Sequence, residues 1–332
     1  MSRGTNSAWE RELAACRLAL RQEPDEAAAE AVKLLEEAQT DSQRLRAALT
    51  IARAELVKGR PEKLREGLAR AAQLYTGSDP VARSELAGHW AQLHLYERDY
   101  DSAEKAADLA VRLVEPSSSI LPKHQRWYDA ARVVPQTAFA AALITRAEVR
   151  FCQGSPGRAL PDALQALSWV DPRFSAKVHV AGLAALGRIL IEPAIATPAL
   201  AHEVLKLCRD AHRILAGHKV RSAHPHRATL RGLEALALAT LGSLERAEGL
   251  MRRTVQQLRK AGHENDASLF GEHLVWLVGQ RAGQIGRARL LVHRLGLQAR
   301  RSPATHEAST TREAPTAQDP PTPEDDGSPI GF

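Results

Sequence analysis

Two stretches of the sequence share one spacing of small residues, AQLHLYERDYDSAEKAADLAVRLVEP at residues 91–116 and AEVRFCQGSPGRALPDALQALSWVDP at residues 147–172. In both stretches alanine occupies the first, thirteenth, seventeenth and twentieth positions, and proline occupies the last. The later alanines are three or four residues apart, which places them on one face of a helix. Short turns rich in Gly, Ser and Asp precede them, so each stretch is predicted to be a hairpin of two helices.

Helical periodicity continues on both sides of these stretches. Ala235, Ala247 and Met251 repeat the first three positions of the pattern, with Gly242 in the turn. The segments predicted to be helical are 26–38, 43–58, 61–75, 81–97, 100–114, 135–152, 158–170, 174–191, 198–216, 228–241, 244–261, 267–280 and 285–297. A single hairpin is too small to bury its own apolar face, so hairpins of this kind are expected to stack on their neighbours.

Composition also favours helices over sheets. Hydrophobic residues make up 44% of the chain but aromatic residues only 4%, and the apolar content is mainly Ala and Leu, which are strong helix formers. The sequence therefore predicts an all-α protein, a right-handed α-solenoid of about five to six stacked antiparallel hairpins. The three cysteines form no CxxC pair, which is typical of reduced thiols in a cytoplasmic protein.

The hairpin pattern resembles the tetratricopeptide repeat family, as it occurs in bacterial regulators and adaptors. The resemblance rests on the segment Tyr100-Asp101-Ser102-Ala103, on the turns at residues 241–244 and 282–285, and on the paired alanines of the second helices. It implies a superhelix that binds partners and carries out no chemistry. It also implies that the first helix of each hairpin faces the binding groove, where the candidate contacts are Arg146, Arg150, Arg188 and Arg231.

Four regions are predicted along the chain. Residues 1–8 are expected to fray, and residues 9–300 to form the repeat domain. Residues 116–134 interrupt the regular spacing and contain Arg126, Trp127 and Tyr128, residue types that are common at binding hot spots; the alternative is that Trp127 fills a gap between irregular repeats. Residues 301–332 are rich in Pro, Ser, Thr and acidic residues and are expected to be disordered.

Positive charge is concentrated in the C-terminal repeats. Residues 202–300 contain seventeen Lys and Arg against eight Asp and Glu. Such a surplus attracts nucleic acid or acidic protein segments, although an Arg-rich solvated face is the simpler interpretation. The aromatic residues that could stack on bases, Phe270 and Trp276, are expected in the core. The residues of the predicted basic patch are Arg252, Arg253, Arg259, Lys260, Arg287 and Arg289.

No sequence motif indicates catalysis or a bound cofactor. The chain lacks a phosphate-binding loop, a dinucleotide-binding glycine turn and an HExxH pair. Cys208 and His212 would share one helix face, but a zinc site needs about four converging ligands, so no metal is expected. The function predicted is a non-catalytic scaffold or adaptor, without membrane attachment, that binds a protein or peptide. The alternative is a nucleic-acid-associated regulator that uses the basic repeats at 202–300.

Overall fold

The computed structural model describes residues 3–20, 23–75, 77, 79–116, 130–192, 195–218 and 225–282. Within these ranges all the regular secondary structure is helical. The thirteen helices are α1 (Arg3–Ala19), α2 (Pro24–Glu36), α3 (Asp41–Val57), α4 (Pro61–Leu74), α5 (Pro80–Glu97), α6 (Tyr100–Val114), α7 (Ala130–Cys152), α8 (Pro156–Trp169), α9 (Pro172–Leu190), α10 (Pro198–Gly217), α11 (Pro225–Thr240), α12 (Leu244–Lys260) and α13 (Glu264–Ala282).

Local sequence signals set the helix boundaries. Proline opens seven of the helices, because its missing N–H falls where the first turn has no partner for one. Thr40 and Gln43 form a capping box at the start of α3, and each side chain accepts a hydrogen bond from a backbone N–H at the other residue. Gly154 and Gly242 adopt φ angles of 74° and 81° between the helices of their hairpins, a conformation that side chains disfavour.

Helices pack in sequential pairs, and the odd-numbered helices also pack on one another. α3 contacts α5, α5 contacts α7, α7 contacts α9, α9 contacts α11, and α11 contacts α13. Each even-numbered helix packs against the odd-numbered helices on either side of it. The described residues therefore form six hairpins followed by α13, and the prediction of an all-α fold built from stacked hairpins is confirmed.

The alanines that repeat in the sequence form the crossings between helices. All of them are fully buried; they are Ala91, Ala103, Ala107, Ala110, Ala147, Ala159, Ala163 and Ala166. They pack between larger apolar side chains such as Phe139, Leu143 and Val149. Because a methyl group is all that separates two helices at these points, a larger side chain there would overpack the core at a cost of about 1–3 kcal/mol.

Eight helices begin one to five residues earlier than the sequence predicts, and α1 covers a stretch in which the sequence predicts no helix. α7 begins at Ala130, whereas Pro135 was expected to open it, so that an exposed Pro135 lies inside the helix. α1 begins at Arg3, within the stretch expected to fray. It is held by Trp9, whose indole N–H donates to the carbonyl of Leu34 at 2.9 Å, and by Leu13 in the same apolar cluster. None of the helices in the described ranges is both long enough and apolar enough to cross a membrane.

Candidate partner-binding surfaces

Two of the predicted contact residues, Arg146 and Arg150 on α7, converge on one buried carboxylate. Asp162 on α8 has only 5% of its side chain exposed. It accepts hydrogen bonds from Nε and Nη2 of Arg146 at 3.0 and 2.8 Å and from Nη1 of Arg150 at 2.8 Å. The fork of a guanidinium suits this two-pronged contact, which is one of the stronger kinds of hydrogen bonding in proteins.

Acidic residues of α6 complete the same cluster. Nη1 of Arg146 donates to Asp108 at 3.2 Å, and Nε of Arg150 donates to Glu104 at 3.3 Å, while Arg158 also pairs with Glu104. Three arginines thus face three carboxylates. We call this set the α7 cluster; its members are Glu104, Asp108, Arg146, Arg150, Arg158 and Asp162.

Protonation in the α7 cluster follows its ion pairs. Partial burial alone would raise the pKa of Glu104, but hydrogen bonds from Gln153 and Arg150 and the charge of Arg158 outweigh it, and the pKa lies below its ordinary value. Burial would lower the pKa of Arg146, whereas its bonds to Asp162 and Asp108 raise it. The cluster therefore consists of charged groups that satisfy one another between α6, α7 and α8.

The remaining two predicted contacts lie in different surroundings. Nη1 of Arg231 on α11 donates to the side-chain oxygen of Gln257 on α12 at 2.7 Å. Arg188 on α9 is half-buried near His273 of α13 and has no acidic partner among the described residues. Burial, with the charge of Arg188 as a smaller cause, lowers the pKa of His273 to about 4.

The four arginines, all on odd-numbered helices, differ in the helices that they contact. Arg146, Arg150 and Arg231 donate to side chains of even-numbered helices, whereas Arg188 lies near His273 of the odd-numbered α13. The difference arises because α6 and α8 supply acids, and α12 an amide, within reach of these side chains. Their part in partner binding stays a prediction, because it would require these side chains to exchange internal bonds for external ones.

An open groove lies in the C-terminal repeats, between α10 and α12 and above α11. It encloses about 690 Å³, within the range of ligand sites in proteins. Leucines from all three helices contribute its apolar part, and basic residues of α10 and α12 surround them. We call this site the α11 groove; it is lined by His202, Glu203, Leu205, Lys206, Arg209, Glu234, Leu238, Arg246, Leu250 and Arg253.

The predicted basic patch is only partly associated with this groove. Arg253 lines the α11 groove, and its Nε donates to the carbonyl of Gly249 at 3.2 Å. Arg252 pairs with Glu248 one helical turn away at 2.7 Å. The other described members are the half-buried Arg259 and the exposed Lys260. Predictions for Arg126, Trp127, Tyr128, Arg287 and Arg289 lie outside the described residues, as do those for residues 117–129 and 301–332.

The two aromatic residues expected in the core of this region differ from one another. Phe270 is 1% exposed, as predicted. The prediction for Trp276 is wrong, because 46% of this residue is exposed. The buried face of α13 is formed by Phe270, Leu274 and Leu277, and Trp276 points away from it by helical geometry.

The candidate thiol and imidazole on α10 are engaged separately. Cys208 is buried, its thiol donates to the carbonyl of Leu230 at 3.5 Å, and burial raises its pKa. Nε2 of His212 lies 3.3 Å from a carboxylate oxygen of Glu234. Each group is therefore occupied by a structural contact of its own.

Comparisons with known proteins find a similar fold among solved structures. No family model matches the sequence, and no curated protein matches it significantly. A crystal structure of a Rap protein complexed with competence and sporulation factor is similar, with a TM-score of 0.57 and 14% sequence identity. The similarity covers 87% of this chain and 75% of the Rap chain. The fold is therefore a helical, tetratricopeptide-like repeat fold that resembles those of bacterial Rap regulators.

Proposed function

We propose that this chain is a non-catalytic interaction scaffold, or regulatory adaptor, that binds a protein or peptide partner in a bacterial cytoplasm. The observation that carries the proposal is the open α11 groove between three helices of the hairpin stack. Repeat stacks of this type offer long surfaces between successive units, and those surfaces serve recognition more often than chemistry. The similar Rap structure, crystallised with a factor bound, supports the same role.

Affinity capture from the native host, followed by reconstitution, tests the proposal. We expect a partner that forms a complex of fixed stoichiometry with the purified full chain, measured by light scattering after size-exclusion chromatography. The non-catalytic part of the proposal requires the partner to keep its intact mass after incubation with the chain. Failure to reconstitute any complex would refute the scaffold role, and a changed partner mass would refute the non-catalytic role.

A nucleic-acid partner is the second candidate, because exposed Arg209 and Arg246 have no acidic partner among the described residues. Binding to phosphates releases counterions, so affinity for a single strand would fall with salt at a slope of about −0.7 per phosphate contacted. A protein partner held partly by apolar contacts would lose less affinity over the same range. Titration of the chain with single-stranded DNA at several salt concentrations separates the two candidates.

A further inference from the structure

The α7 cluster and the α11 groove occupy equivalent positions in two hairpins. The buried small residues of α7 and α8 correspond to those of α11 and α12: Ala147 to Ala235, Ala159 to Ala247, and Ala163 to Met251. The buried residues of α6 and α10 share their intervals as well: Ala103 and Val204, Ala107 and Cys208, Ala110 and Ala211, Val114 and Leu215. Each member of the α7 cluster therefore has a counterpart in the α11 groove.

The positions of α10 and α12 that are equivalent to the three acids of α6 and α8 hold no acid, whereas the position equivalent to the arginine of α8 also holds an arginine. Leu205 stands where the α7 cluster has Glu104, Arg209 where it has Asp108, and Leu250 where it has Asp162. Arg158 is matched by Arg246. The carboxylates that neutralise the first site from within the chain are therefore absent from the second.

The two arginines of α7 correspond to Glu234 and Leu238 on α11. Glu234 is the one acid among these counterparts, and it lies beside His212 at 3.3 Å. Glu203, a further acid of the lining, lies 3.6 Å from Lys206. Both acids of the groove thus have a basic neighbour of their own. Among the described residues, the cations of the groove without an acidic partner are Arg209, Arg246 and Arg253, of which Arg253 donates to the carbonyl of Gly249.

We propose that the α11 groove binds an acidic, leucine-containing segment of a partner protein, whose carboxylates take the place that Glu104, Asp108 and Asp162 fill in the α7 cluster. The proposal rests on the proposed function and names the chemistry of its partner. Carboxylates pair with Arg209 and Arg246, since guanidinium groups match carboxylates in shape and charge. Apolar side chains of the segment cover Leu205, Leu238 and Leu250.

The lining favours a protein segment over nucleic acid. The groove lining contains no Phe, Tyr or Trp, and His202 is its one aromatic ring, so it offers bases little surface on which to stack, whereas proteins that bind single strands rely on such stacking. The three leucines give apolar contacts that a sugar–phosphate backbone cannot use. Charge and apolar surface together match an acidic peptide that carries leucine side chains.

The test uses full-length protein and a fluorescein-labelled peptide in which leucines are interspersed among glutamates, with binding measured by fluorescence anisotropy at low and moderate salt. The groove variant is Arg209→Gln with Arg246→Gln. The control variant, Arg213→Gln with Lys260→Gln, removes the same charge from α10 and α12 outside the groove lining. Exposed Arg213 pairs with Asp210 on its own helix, and Lys260 is exposed. Circular dichroism verifies that both variants keep the wild-type helix content and melting temperature.

We expect the groove variant to weaken peptide binding by at least about tenfold, the loss of one to two charge-assisted contacts, and the control variant by less than about twofold. A peptide with glutamine in place of every glutamate should bind neither protein. A further variant, Arg209→Asp, introduces the acid found at the equivalent Asp108 and should weaken binding at least as much.

Several outcomes would overturn the proposal. They are equal weakening by the groove and control variants, wild-type protein that does not bind the peptide, and single-stranded DNA that competes for the groove more strongly than the peptide. Reconstitution with the native partner distinguishes failure of the proposed groove site from failure of the proposed scaffold function. A groove variant that binds the native partner as the wild type does would refute the groove site and leave the scaffold role intact, whereas absence of any native complex would refute the scaffold role.

Discussion

Removal of the buried carboxylate at the centre of the α7 cluster, by Asp162→Ala, should destabilise the protein strongly. Asp162 is 5% exposed at its side chain and accepts three hydrogen bonds from Arg146 and Arg150, which are themselves only 18% and 16% exposed. Loss of one partner from a buried ion pair costs about 3–5 kcal/mol, because the opposite charge stays buried. Asp108 and Glu104 remain to compensate the arginines in part, so we expect a loss of about 3 kcal/mol.

Urea unfolding followed by circular dichroism measures this loss directly. A change of this size should lower the melting temperature by about 6 °C, at about 2 °C for each kcal/mol. The matched control is Asp210→Ala, which removes an exposed carboxylate that lies 3.0 Å from Arg213; we expect a change of less than about 1 kcal/mol there. If the two variants were equally stable, the α7 cluster would contribute no more than a surface pair, and the comparison with the α11 groove would lose its basis.

Three further predictions concern other parts of the chain. Burial, helped by the charge of Arg53, lowers the pKa of His89 from 6.5 to about 4. Between these pH values the folded state binds fewer protons than the unfolded state, so stability is lost as pH falls through this window. Wild-type protein should lose about 2 kcal/mol of unfolding free energy through His89 between pH 7 and pH 5, and His89→Gln should remove this loss. Urea unfolding of both proteins at the two pH values measures it. Gly232→Ala would place a methyl group 2.2 Å from the ring of Phe270 and should destabilise by about 1–3 kcal/mol. The added methyl group of Gly249→Ala meets no atom within 4 Å, and this variant should stabilise its helix by about 0.5–1 kcal/mol. Thermal melts in which the two glycine variants shift the melting temperature in the same direction would contradict this account. Deletion of residues 302–332 should leave the melting temperature unchanged, because that segment has no apolar periodicity, and a drop of several degrees would show that it packs on the repeats.

The fold could be predicted because its determinants are local and repeated. The alanine spacing at residues 91–116 and 147–172 specifies the crossing of two adjacent helices, and proline or glycine marks the ends. The early start of α7 was missed because Pro135 satisfies the rule for a first helical turn equally well as an opening residue. Local rules give one preferred boundary, whereas packing of the preceding residues can extend a helix beyond it.

The sites were harder to predict because they depend on residues far apart in the sequence. Arg146 contacts acids on both α6 and α8, and the angle between those helices is not encoded in the periodicity of α7. Arg209 and Arg246 of the α11 groove, which have no acidic partner among the described residues, were not selected from the sequence either. Superposition of the two alanine patterns would have indicated them, because it shows a leucine at the position of Asp162 and an arginine at that of Asp108.

The nearest-neighbour packing of the hairpins has a consequence for how such a chain can change over time. Since each hairpin rests mainly on the one before and the one after it, the energetic effect of a substitution stays within a short length of the stack. Leucine can then replace an acidic residue that pairs with arginine inside one hairpin. The loss of stability is confined to that hairpin and its neighbours, and distant hairpins keep their geometry. Recognition can be revised unit by unit in such an architecture, and its stability need not be rebuilt at each revision.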